Sequence, residues 1–83
     1  MVPETQAALE IALFIASQPS PEQVIAFRPS PTVVERAYAL IDAERERALS
    51  IEEHHELESY LAIQHIMILA KAEAHRQLHQ RAS

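Results

Sequence analysis

The sequence predicts an all-α fold, and three observations carry that prediction. None of the 83 residues is Gly, whereas tight β-hairpins favour Asn-Gly or Asp-Gly at their turns. Two helix-start signals, Ser20-Pro21-Glu22-Gln23 and Ser50-Ile51-Glu52-Glu53, place a Ser three residues ahead of Gln or Glu, the pattern of a capping box. No Pro follows Pro31, so nothing breaks the helical periodicity of the second half. The predicted architecture is an N-terminal helix, a Pro-rich connector with a short helix, and an antiparallel helical hairpin with a long C-terminal helix. A second copy would complete a homodimeric bundle.

The first helix is expected over 4–17, with Ala7, Ala8, Ile11, Ala12, Phe14 and Ile15 on one side and Leu9 and Leu13 widening that face. Pro19, Pro21, Pro29 and Pro31 then exclude a long helix from the connector, 18–31. Within it, Ser20 as N-cap and Pro21 at the first helical position predict a short helix over 21–26. An edge strand over 24–27 is the alternative, and Phe27 is expected to anchor its ring in the core. The next helix, 32–48, can begin from Ser30-Pro31 or from Thr32-Val33-Val34-Glu35. Its expected inner stripe is Val34, Ala37, Tyr38, Ile41 and Ala48, with Asp42/Arg45 and Glu44/Arg47 pairing on the wet side. The capping box at Ser50 starts the last helix almost at once, which implies an antiparallel hairpin.

That last helix, 51–80, holds the most informative stretch. From Tyr60 to Ala72 it is apolar around nearly its whole circumference, and such a helix must be covered on all sides. Thirty residues span ~45 Å, whereas a compact globule of this length has a radius of gyration of ~12 Å. The helix therefore overhangs any monomer. Two stripes are legible: Tyr60, Ile63, Met67, Ala70 and Ala74, and Leu57, Leu61 and Ile68. The expected interface with a second copy comprises Tyr60, Ile63, Ile66, Met67, Leu69, Ala70 and Ala74.

Composition narrows the function classes. Without Gly, phosphate-binding loops, dinucleotide fingerprints and nucleophile elbows are excluded. Without Cys there is no disulfide and no thiolate metal site. The net charge of −5 disfavours nucleic acid and suits a basic protein partner. Eight acids face three Arg between positions 35 and 58, while three bases accompany one acid from Lys71 onward. The apolar run at 9–16 has no basic flank or cleavage pattern, and no run reaches a membrane span, so a cytoplasmic protein is expected.

Candidate chemistry is sparse. His75/His79 and His54/Glu58 lie four apart, and Glu52-x-x-His55 has the spacing of di-metal bundles. Each gives half a site, so metal would need ligands from another chain; solvated helix ends account for the same residues. His65 either fixes register in an interface or lies at its boundary. Ser59 has no triad company, and the tail bases lack aromatic interleaving. The reading is a non-catalytic protein-protein interaction module without cofactor, with a metal-binding bundle or a small DNA-binding regulator as alternatives.

Several segments share one order of features: Ser20-Pro21-Glu22-Gln23-Val24-Ile25-Ala26-Phe27-Arg28-Pro29-Ser30, then Leu49-Ser50-Ile51-Glu52-Glu53 with Glu56-Leu57 and Tyr60, then Gln64-His65 and Leu69-Ala70-Lys71-Ala72. This order resembles that of a group of small bacterial helical proteins, some regarded as antitoxin-like. The resemblance covers about 20–74, carries no catalytic residues, and implies a partner-binding protein that masks a basic toxin.

Overall fold

The computed structural model of the protein describes residues 5–82, and among them there are four helices and no strand. They are α1 (Gln6–Ala16), α2 (Pro21–Ala26), α3 (Pro31–Glu46) and α4 (Ile51–Ala82). The expected start of the first helix at Glu4 lies outside the described residues. Each helix begins at a hydroxyl that takes up a backbone N–H otherwise left unpaired. Thr5 Oγ1 accepts from Ala8 N at 3.1 Å, Ser20 Oγ from Gln23 N at 3.2 Å, Ser30 Oγ from Val33 N at 3.3 Å and Ser50 Oγ from Glu53 N at 3.1 Å. At Ser20 and Ser50 the reciprocal bond is present: Gln23 and Glu53 accept from the Ser backbone N–H at 2.8 and 2.9 Å.

The connectors follow from side-chain chemistry as well. After α1 the chain turns through Gln18 at φ 54°, a left-handed position that a glycine would ordinarily fill. Pro19 then blocks any continuation. Residues 24–26 are helical and Phe27 is the extended C-cap of α2, so no edge strand forms there. The Phe27 ring tilts against Phe14, with centroids 4.5 Å apart, joining the connector to α1.

α1, α2 and α3 all pack on α4. Val33, Ala37 and Leu40 from α3, and Leu57, Met67 and Ala74 from α4, are the buried core among the described residues. The inner row of α3 differs from the sequence expectation. Val34 and Ile41 are half-buried, but Tyr38 is 65% exposed and Ala48 lies beyond the helix. Two aliphatic rows pass through Ala37, and Val33–Ala37–Leu40 is the one that turns inward against α4, which leaves Tyr38 on the outside.

The core is thin and the molecule long. α4 has 32 residues, about 48 Å of helix, in a molecule measuring 52 × 26 × 20 Å. The radius of gyration is 15.2 Å, against ~12 Å for a compact chain of this length. The accessible surface is 6233 Å², whereas a compact chain of this mass exposes about 5,000 Å².

Candidate functional site

α4 has two apolar sides. A residue turns 100° around a helix from its neighbour, so positions three and four apart share a face. On the inner side Leu57, Met67 and Ala74 are buried, and Tyr60, Ile63, Ala70, Lys71 and Leu78 are half-buried. Polar ties hold this side in place. Lys71 Nζ donates to the Phe27 carbonyl at 3.0 Å, closing the end of α2, and Arg81 lies 3.6 Å from Glu22. Ala74 falls between these two ties and is small enough for α2 to approach closely. Burial, and then the nearby Arg28, push the Lys71 ammonium below its usual range.

The outer side is different. Leu61 is 47% exposed, Ile66 58%, Ile68 60% and Leu69 58%. Ala62, His65 and Ala72 lie exposed among them. Leu61, His65, Ile68 and Ala72 form one row spaced four, three and four, and Ala62, Ile66 and Leu69 form the row beside it. Together they make an apolar band more than three turns long with one polar residue inside it. Glu58 precedes the band and Arg76 follows it.

The seven residues expected at an interface therefore do not share one surface. Met67 and Ala74 are covered by the chain's own helices, Tyr60, Ile63 and Ala70 are partly covered, and Ile66 and Leu69 face outward. The outward partners of Ile66 and Leu69 are Leu61 and Ile68, two members of the second sequence stripe. Their signal was the offset between two apolar rows on one helix. Which row the chain would cover could not be read from spacing, because both rows fit a helical partner equally well.

Two shallow clefts open between the helices. One, of about 240 Å³, lies among α1, the 27–29 connector and α4, against Phe27, Ile63, Met67 and Lys71. The other, of about 260 Å³, lies among α1, α3 and α4, against Leu40, Arg36, Glu56 and Tyr60. Both fall below the ~300–1,000 Å³ usual for small-molecule sites. Their charged groups are engaged in holding the fold. Glu10 accepts from Ser30 N at 3.0 Å, and the Ser30 hydroxyl, then this backbone N–H, keep its carboxyl below the usual range. Arg36 grips Glu56 with two nitrogens at 2.9 to 3.1 Å.

His54, His55, His65, His75 and His79 are all exposed. Among the described residues no three His, Asp or Glu side chains converge as a metal ion requires. On α1, Leu9 and Leu13 are exposed one turn apart, and Ile15 is exposed on another side. Among the described residues no helix is long and apolar enough to cross a membrane.

No family model matches the chain, and neither a curated protein nor a solved structure is similar to it.

Proposed function

We propose that the protein is a non-catalytic helical interaction module, acting in the cytoplasm, whose outer α4 face is covered by a second copy of the chain. The observation that carries this reading is the band of Leu61, Ile66, Ile68 and Leu69, each about half exposed on one helix. Covering such side chains contributes on the order of 1 kcal/mol each, about half the value for complete burial. In this reading α3 and α4 form an antiparallel hairpin, supported by the Arg36–Glu56 and Arg47–Glu53 pairs across it. The hairpin stiffens the helix that carries the docking face.

Sedimentation equilibrium between micromolar and near-millimolar concentration tests the proposal. A mass of two chains is expected, and a folded monomer across the whole range would end it.

A second reading concerns a basic protein partner, as the antitoxin-like resemblance implies. The exposed carboxylates Glu44, Glu46 and Glu52 around the α3–α4 turn support it, since they leave a negative end free for a cationic surface. Binding of a basic, nuclease-like protein at 150 mM salt, lost on Glu44→Lys/Glu46→Lys/Glu52→Lys substitution, is the expected result. Unchanged binding by that variant would remove this end as the contact.

A further inference from the structure

The charges around the outer band favour one orientation of the two copies. Glu58 and Arg76 are eighteen residues apart, five full turns of helix, so both project in the same direction as the middle of the band. Their midpoint is position 67, and the midpoint of the band's first row, Leu61 to Ala72, falls within one residue of it. The charge of α4 divides at the same place. Its first half, 51–65, holds four carboxylates and no Lys or Arg; its second half, 66–82, holds three Lys or Arg and one carboxylate. Glu58 is exposed. Arg76, paired with Glu73 on its own helix, is still half exposed on its side chain.

We propose that the two copies pair through antiparallel α4 helices about a two-fold axis near position 67, an orientation that rests on the self-association proposed above. Leu61 of one copy then lies opposite Ala72 of the other, His65 opposite Ile68 or Leu69, and Glu58 opposite Arg76. Both ends of the seam close with unlike charges, and the two helix dipoles oppose each other. A parallel pair would set Glu58 on Glu58 and Arg76 on Arg76, whereas Glu53 and Glu56 are taken up by Arg47 and Arg36 on the α3 side. Like charges across an interface are what select against a wrong pairing.

The chain has no cysteine, so single cysteines report orientation cleanly. In the antiparallel pair two Leu61 positions are about 16 Å apart along the axis, too far for a disulfide. Leu61→Cys alone and Ala72→Cys alone should each remain uncrosslinked on oxidation. An equal mixture of the two variants should crosslink up to about half of the chains. Self-crosslinking of both single variants at high yield would show a parallel pair and overturn the inference, while leaving self-association in place. A dimer by sedimentation with no crosslink in any sample would also overturn it, because another face would then be in contact. A folded monomer would remove the underlying proposal instead. Charge reversal gives a separate reading. Glu58→Arg should raise the dimer dissociation constant at least about fivefold at low salt, and adding Arg76→Glu should bring it back to within about twofold. A double variant as weak as the single one would contradict the pairing.

Discussion

Glu53 shows how much of this fold rests on single polar side chains. One oxygen accepts from Ser50 N at 2.9 Å and from Arg47 Nη1 at 2.9 Å, and the other accepts from Arg47 Nη2 at 2.8 Å. One carboxylate thus caps α4 and ties the residue ending α3 to it. The Arg47 guanidinium, and then the Ser50 N–H, bring its carboxyl from an ordinary 4.5 down to about 2. Because the folded value is depressed, the stabilisation is fully present above pH 4.5 and is lost as pH falls toward 2. Solvent screening around the exposed Arg47 keeps the effect modest. Glu53→Gln retains an acceptor for the cap but no charge. Its thermal midpoint should be lower than wild type at pH 7, with the difference narrowing between pH 4.5 and 2. A constant difference across that window would show that the charge contributes nothing. The capping half of this arrangement was legible in Ser50-x-x-Glu53. The Arg47 half was not, because Glu44 stands three residues before Arg47 and fits a helical pair equally well. Arg47 instead sits outside α3 with extended backbone, where its guanidinium reaches Glu53 and the Ala48 carbonyl.

At the scale of one helix, the two sides of α4 should respond to substitution in opposite ways. Met67 is 8% exposed, and truncating a buried Met to Ala typically costs ~2–5 kcal/mol. With six residues buried among those described, that is a large fraction of the total stability. Met67→Ala should therefore lower the thermal midpoint and reduce helicity at every concentration. Leu61→Gln/Leu69→Gln, on the outer side, should leave helical circular dichroism intact while shifting the mass from two chains to one. Unfolding by the Leu61/Leu69 variant, or full stability of Met67→Ala, would reverse the assignment of the two sides. The helices themselves were readable from prolines, capping hydroxyls and an unbroken last third. The all-α class follows from these local signals, whose physics acts within a few residues. The facing of α3 and α4 was not readable, because both carry two adjacent apolar rows. Val33–Ala37–Leu40 competed with Val34–Ala37–Ile41, and Met67 and Ala74 fell in the same stretch as Ile66 and Leu69. Only packing of α1, α2 and α3 onto one wall decides which row turns inward. The wall is chosen by the whole chain.

For the whole molecule, a helix of 32 residues supported by three shorter ones leaves a shape too long for its core. Among the described residues six are buried, two of them Ala, which is few for a domain that must offset the conformational entropy of some eighty residues. The second copy proposed above would supply the missing burial and make folding stability depend on concentration. For a unit of two such chains the unfolding entropy is about 0.35 kcal/mol/K, taking ~2.1 cal/mol/K per residue. A tenfold rise in concentration favours the paired state by about 1.4 kcal/mol, so the midpoint should rise by about 4 °C per decade. Calorimetry from ten micromolar to one millimolar should record a rise of about 8 °C in all. Leu61→Gln/Leu69→Gln should melt at one temperature throughout, lower than wild type at the top of the range. A wild-type midpoint that stays flat over the same hundredfold span would mean that pairing does not stabilise the fold, and the outer band of α4 would then have no part in folding.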